Sequence, residues 1–313
     1  MKIPKFPSYL YTPLPCLCGS NRSLTLAHKD RYKNKLNTKL CLACGLLRSD
    51  PYLHKPSIAS FYKHQYQKYY HPDYSPQTVE ANNLITSYIL PKISLSPSDL
   101  IFDIGCGSGV LVSAFRHHGY QAYGCDFQPR NSRHPSKYIL PGDENSLKKH
   151  GQAKLIILNH VLEHSREPRK FIRVISQLLV PSGYLAIFVP GVFNIHRDYP
   201  KFGSYLQIAH AFHYSQETLL ALLTPAGFTT LDSDQVIRSL FIHHSSTPYK
   251  PSKLLGFKTI IYISLLPLVK MADSLIQNSM AFIVTKVKNH PFMYNRLKLA
   301  YELIFPRPPS SSC

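Results

Sequence analysis

The stretch "LIFDIGCGSGVLVSAF", Leu100 to Phe115, constrains the fold more than any other: a short apolar run carries Asp103 near its end, three glycines follow at alternate positions, and a helical pattern begins at once. A strand that feeds a glycine-rich turn and a helix N-terminus brings backbone amides to the carboxyl edge of an open α/β sheet, where such sheets bind ligands. Glycines suit the turn because a side chain would hold a ligand away from the backbone. The spacing excludes two ligand classes. A dinucleotide fingerprint needs glycine or alanine three residues after Gly107, where Val110 stands. A P-loop needs Lys and then Ser or Thr after its last glycine, but Val110 and Leu111 follow Gly109.

The acids flanking the turn point to the remaining class. An ionised Asp103 accepts hydrogen bonds only, suits a cation and repels a pyrophosphate. Asp126, closing the next apolar run "QAYGC", is placed to accept two ribose hydroxyls. A cationic group, a ribose and no phosphate describe S-adenosylmethionine. Beyond the turn, "KYIL", "KLIIL", "YLAIFV" and "TTLDS" alternate with the helical patterns "PRKFIRVISQLLVPSG" and "SQETLLALLTPAG", with a further strand around "VIRSLFI". Short apolar runs alternating with helices predict βα units around a parallel sheet.

On these residues the chain resembles class I S-adenosylmethionine-dependent methyltransferases, whose hallmark D/E-x-G-x-G-x-G reads here "DIGCGSG". The resemblance covers roughly residues 12–235 and implies a Rossmann-like seven-stranded sheet with helices on both faces. It implies that the loop of Gly105, Cys106, Gly107 and Gly109 holds the methionine part of the cofactor, that Asp126 holds the ribose, and that Asp143 or Glu144 meets the adenine edge. Phe127 and Asn159, at the ends of their strands, complete the expected cofactor set with Asp103. The fourth-strand stretch "LIILNHVLEHSREPRKFI" also looks like the family, although Lys154 stands where an Asp often opens that strand.

Cys16, Cys18, Cys41 and Cys44 form "CLCGS" and "CLACG", two knuckles that deliver four thiolates in pairs, as a tetrahedral structural Zn2+ requires. The second knuckle is a regular C-x-x-C-G and the first is one residue short, so unliganded or redox-active cysteines stand as the other reading. The quartet followed by "GLLRSDP" and "FYKHQY" is similar to the zinc-binding N-terminal domain of a methyltransferase subgroup, some of whose members methylate sugars. Seven cysteines without a signal-peptide-like start point to a reducing, cytoplasmic compartment. The expected organisation is a zinc unit over 1–50, a helical linker or lid over 51–98, the methyltransferase domain over 99–245, and a basic helical extension with a disordered tail over 246–313. Phe61 or Tyr62, Tyr66 and Tyr69 recur at helical spacing in the linker, forming a core stripe or a lid over the cofactor.

Charge is uneven: 12 basic residues face 3 acidic ones over 1–75, 15 face 12 over 76–249, and 9 face 2 over 250–313. Basic flanks suit RNA, an anionic membrane surface or a phosphate-bearing glycan carrier, and equally a solvated surface. Leu254 to Val269 is apolar but only 16 residues long and interrupted by Lys258 and Pro267, short of the ~20 a span needs. It reads as a buried or interfacial helix, with peripheral membrane association the corresponding location.

Methyl transfer from a sulfonium needs alignment and, for a hydroxyl or carbon acid, a base. Histidine serves near neutral pH. His160 and His164 follow the fourth strand, and His210 and His213 lie in "LQIAHAFHYS". His164 and His213 are the expected catalytic pair, against a purely structural role for each. The expected function is O- or C-methylation of a small molecule, a sugar or cell-envelope glycan precursor. RNA or protein methylation through the basic flanks is one alternative, although "NHVLEH" stands where an "NPPY"-type motif would mark amino methylation. A cofactor-binding regulator or assembly subunit without catalysis is the other.

Overall fold

The computed structural model describes residues 9–66, 76–127, 136–244, 248–271 and 273–274. The N-terminal part is built from β1 (Tyr11–Thr12), β2 (Ser23–Lys29), β3 (Lys35–Cys41), β4 (Leu47–Ser49) and β5 (Tyr52–Leu53), followed by helix α1 (Lys55–Phe61). One π turn over Tyr62–Tyr66 succeeds α1 and breaks the regular helical spacing. Of the expected aromatic face, Phe61 is buried and Tyr62 half-buried, while the side chain of Tyr66 and all of Tyr69 fall outside the described residues.

Helix α2 (Pro76–Ile89) leads to the large sheet, whose elements are β6 (Leu100–Ile104), α3 (Val110–His117), β7 (Gln121–Asp126), β8 (Ile139–Pro141), β9 (Ala153–Asn159), α4 (Pro168–Leu178) and β10 (Leu179–Phe188). Two short helices, α5 (Ile195–Asp198) and α6 (Phe202–Tyr205), precede β11 (Phe212–His213), α7 (Gln216–Leu223), β12 (Phe228–Ser233), β13 (Arg238–His243) and α8 (Leu255–Ser264). The sheet order is β12-β13-β10-β9-β6-β7-β8. Strands β6 to β10 run parallel, and β13 is antiparallel to both neighbours.

Strand alternation sorts the core onto both faces. Ile101, Leu155 and Ile157 pack with Ile85 and Ile89 of α2 and Leu111, Val112 and Phe115 of α3. Phe102, Ile156 and Leu158 point the other way, to Ile172 and Ile175 of α4 and Leu219 of α7. The expected seven strands with helices on both faces are therefore present, including the further strand around "VIRSLFI", which is β13.

The N-terminal segment differs from its sequence appearance. Its little periodicity gave no strands, yet β2, β3 and β4 form an antiparallel meander, and the order of that sheet is β11-β4-β3-β2. The outer strand comes from residues 212–213, far along the chain, with Phe212 opposite Arg48 and His213 opposite Leu47. A third core joins Leu40 and Leu47 to Ile195, Tyr205 and Leu206 and to Leu266 of the C-terminal part. Gly45, at φ +72°, sits so close to Leu255 of α8 that a β-carbon there would collide with that side chain. Among the described residues no helix is long and apolar enough to cross a membrane. The tail "FPRPPSSSC" lies outside the described residues.

Candidate active site and cysteine centre

The glycine turn begins where β6 ends. Gly105 and Cys106 both donate their N–H to the Cys125 carbonyl, at 2.8 and 3.0 Å, which ties the turn to the neighbouring strand. Gly105, Gly107 and Gly109 all have positive φ, the region in which a β-carbon is strained. A β-carbon on Gly105 would also strike Val161, and one on Gly109 would strike Ile139, whereas Gly107 faces open space. The loop thus closes against its neighbours at both ends and opens in the middle.

Asp126 ends β7 and accepts a hydrogen bond from Gly107 N–H at 3.0 Å, so its carboxylate stands beside the open part of the turn. Asp103 is buried; burial, with the charge of Asp126 adding, pushes its carboxyl up to about 8. Phe127, the next residue after Asp126, is 75% exposed, a large apolar ring beside a polar turn. Asp143 caps the turn that follows β8, accepting from Asn145 N–H at 3.0 Å, and Glu144 beside it is held above its ordinary pKa by burial. Asn159 closes β9. All these residues except Asp103, which is one residue short of its strand's end, lie at or just beyond the carboxyl ends of parallel strands, on one edge of the sheet. That edge fits a sulfonium nucleoside: a buried carboxyl that gains from a cation, a second acid at the turn's mouth, and no lysine or arginine in the turn to hold phosphate. Cys106 and Cys125 are small packing residues, with burial raising both thiols, that of Cys125 to about 12.

Beyond Asn159 the chain gathers a second group. His160 takes φ +54°, a strained value for a residue with a β-carbon, and donates its N–H to the Phe188 carbonyl at 2.8 Å. Its Nδ1 lies 3.3 Å from Glu163 Oε1, and its side chain is 46% exposed. Glu163 is buried, and its Oε2 has no partner. Nε2 of His164 and Nε2 of His210 each lie 3.9 Å from the same Oε1. His164 also engages the Ala209 carbonyl through Nδ1 at 3.0 Å. The His213 ring is tilted against Tyr205 and edge-on to His210, with ring centroids 4.9 and 5.5 Å away, and neither of its ring nitrogens has a partner.

Burial drives the imidazoles toward the neutral form. It lowers His164 against the opposing pull of Glu163, lowers His210 well below the ordinary value, and brings His213 down to about 3. Burial acts oppositely on Glu163, but the His160 hydrogen bond and the nearby imidazoles hold its carboxyl below the usual range. The structure places His210 between His164 and His213, with ring centroids 4.9 and 5.5 Å away, and Glu163 and His160 lie beside them. The sequence signal for Glu163 was its i+3 spacing from His160 in "NHVLEH", within reach on one turn. Arg166 gave no such signal. It donates to the Leu53 carbonyl at 3.0 Å, Thr12 Oγ1 at 2.7 Å and the Pro13 carbonyl at 2.8 Å, clamping this loop to the N-terminal part.

The four cysteines converge. Sγ atoms of Cys16 and Cys44 are 3.5 Å apart, Cys18 and Cys16 3.5 Å, and Cys18 and Cys41 3.6 Å. Four sulfurs at about 2.3 Å from one ion sit about 3.8 Å apart in a tetrahedron. The short first knuckle thus does not prevent the gathering, and the hydrogen bond between the Cys16 and Cys44 sulfurs favours one thiolate in the pair, lowering Cys16 and raising Cys44.

The sheet order, the antiparallel β13 and the glycine turn define a class I methyltransferase fold. Residues 50–233 match the family described as a methyltransferase domain, and the chain belongs to that family. Among curated proteins it is similar to the ubiquinone biosynthesis O-methyltransferase of Yersinia pestis (strain Pestoides F), 26% identical over 115 residues, which is 33% of this chain and 48% of that protein. The same values hold for the enzyme of that name from Yersinia pseudotuberculosis (serotype O:1b, strain IP 31758). The chain spans about half the length of the curated relatives it matches. A solved structure similar to it is the Burkholderia thailandensis 1,6-didemethyltoxoflavin-N1-methyltransferase bound to S-adenosylhomocysteine, at TM-score 0.46 and 16% identity, covering 66% of this chain and 96% of that one.

Proposed function

We propose that the protein transfers a methyl group from S-adenosylmethionine to a hydroxyl or carbon acid of a polar small molecule, a sugar or sugar-containing precursor. The observation that carries the acceptor class is the set of buried polar atoms without partners beside the end of β9: Glu163 Oε2, Gln207 Oε1, both ring nitrogens of His213 and Tyr214 OH. Buried donors and acceptors in this number call for a ligand rich in hydroxyls, since leaving each unpaired costs about 1–3 kcal/mol. When bound, the cofactor supplies an activated methyl on sulfur. The chain's own work is to seat it: Asp126 takes the ribose, Asp103 faces the cationic end, Gly105, Cys106, Gly107 and Gly109 line the methionine part, Phe127 covers the purine, and Asp143 or Glu144 with Asn159 sets the far edge.

The acceptor's proton is assigned to His160. It is the exposed member of the group, and Glu163 fixes its ring through Nδ1, leaving the outer face of the imidazole toward incoming acceptor. His164, expected as a base, has Nδ1 committed to Ala209, and His213 at about 3 is too weak to take a proton efficiently near neutral pH. Both are assigned to shaping the acceptor pocket. A labelled-methyl screen against nucleotide sugars, glycolipids and RNA tests the reading. Transfer to RNA alone overturns the sugar assignment, and cofactor uptake without transfer to any acceptor favours a regulator.

We further propose that the cysteine quartet binds one structural Zn2+, supported by the sulfur spacings, and that the C-terminal helical part rests on an anionic membrane surface. Leu254, Phe257, Ile261 and Leu265 are exposed and recur at spacings of three and four along α8 and its two caps, Leu268 and Met271 are exposed beyond it, and Lys253 and Lys258 are exposed alongside. Sedimentation with phosphatidylglycerol vesicles is expected to carry wild-type protein down and to release the Phe257→Glu variant. Wild-type protein left in the supernatant rules this location out.

A further inference from the structure

A fully buried carboxylate needs compensating positive charge, and Glu163 lacks a fixed one. Its neighbours are imidazoles: Nε2 of His164 and of His210 each lie 3.9 Å from its Oε1, while His160 stands partly in solvent. Arg31 acts on His210 and His213 only through its field, and its Nε and one terminal nitrogen have no partner. Two imidazoles and one carboxylate are instead the donor set of a divalent cation site.

We propose that Glu163, His164 and His210 form a second metal site, which takes a first-row divalent ion of the Zn2+ or Fe2+ kind. One ligand atom from each of the three lies within 4.8 Å of the others. Donors at about 2.1 Å from one ion are about 3.4 Å apart in a tetrahedron, and the two 3.9 Å separations from Glu163 exceed that by about 0.5 Å, with His164 and His210 within 4.8 Å of each other. His164 has the outer contact usual for a metal-binding imidazole, its Nδ1 donating to the Ala209 carbonyl so that Nε2 is the ligand atom. Its weaker contact with the His160 backbone yields to the ion. Gln207 Nε2 lies 2.6 Å from His210 Nε2 and is the group the ion displaces, while Gln207 Oε1, now without a partner, becomes available to a metal-bound water or hydroxyl. The site follows Val161, the residue that abuts the Gly105 turn, so it belongs to the same edge as the cofactor residues. An ion there keeps a net positive charge and open positions. Bound there, it would supply Lewis-acid activation of the acceptor's hydroxyl, and His160 would take the proton released.

This deepens the methyl-transfer reading, but the test is run without a methyl donor, so the two fail separately. Full-length protein with its cysteine site filled by Zn2+ is titrated with Co2+ and followed by visible absorption. One further equivalent is expected, with metal-centred bands and no thiolate charge-transfer band. Glu163→Gln is expected to weaken it by more than about tenfold, the scale on which even outer-shell partners of a metal act. No further equivalent in wild-type protein, or unchanged affinity in a folded Glu163→Gln, overturns the proposal. If Glu163→Gln does not fold, His210→Gln is judged by the same criterion. Co2+ uptake by protein that fails to bind S-adenosylmethionine would leave the metal site standing and remove the donor assignment.

Discussion

Tyr52 and His164 share one acceptor, the Ala209 carbonyl, which receives the phenol O–H at 2.7 Å and the imidazole Nδ1 at 3.0 Å. Ser49 Oγ donates to the neighbouring His210 carbonyl at 2.7 Å. The segment carrying three of the site's histidine contacts is therefore held from the N-terminal part.

Tyr52→Phe removes one donor and leaves the Ala209 carbonyl to His164 alone. The expected cost is about 1 kcal/mol of stability, read in denaturant melts. Methyl transfer should fall with little change in cofactor affinity, because Tyr52 touches the histidine segment and not the glycine turn. An equal loss in cofactor affinity would contradict that separation.

Asp103 makes a pH prediction. Its folded pKa, about 8, is raised from 3.8, so the proton stabilises the fold fully below about pH 4, and that contribution is lost as pH rises toward 8. Ligand-free protein should lose melting temperature across that window. A cationic nucleoside should abolish the slope by restoring the carboxylate, with proton release detectable by calorimetry in buffers of different ionisation enthalpy. Asp103→Asn should flatten the ligand-free slope.

Asp126→Ala should weaken S-adenosylmethionine by about 1–3 kcal/mol, the loss expected for charge-assisted hydrogen bonds to the ribose. It also removes the acceptor for Gly107 N–H and the field that raises Asp103. Calorimetry should therefore show a lower Asp103 pKa alongside the weaker binding. Unchanged affinity would count against the ribose assignment.

Chelation or Cys44→Ser should release one Zn2+ per chain, measured by mass spectrometry. Structural zinc in small units is worth about 10–16 kcal/mol of apparent binding energy, so the β2–β4 sheet should unfold with it. Because β11 is part of that sheet, transfer activity should be lost in step with the metal. Full activity in zinc-stripped protein would contradict the coupling.

The seven-stranded sheet was legible because its strands carry apolar runs long enough to show, and because the glycine turn fixes ligand class by spacing alone. Asp103 and Asp126 were readable for the same reason, as each sits at or next to a strand end. The N-terminal strands were not. In β3, "KLNTKLC", burial alternates from Lys35 to Leu40, but the middle buried position is the polar Thr38, so the residue types do not show the alternation. Two-residue β11 has no signal of its own, since its pairing with β4 is decided by contacts between residues more than 160 positions apart. His160 and His210 were visible as residue types, but the difference that matters among the four histidines is exposure. Only packing decides that His160 meets solvent and His213 does not.

The placement of Phe212 and His213 against β4 also bears on how the protein can be divided. A cut near residue 50 would strip β11 of its partner and expose to water the backbone of Phe212 and His213, which is fully buried in the whole chain. The histidine-bearing half takes its last wall from the cysteine-bearing piece, so a fragment that begins after residue 50 is expected to be less stable than the whole chain.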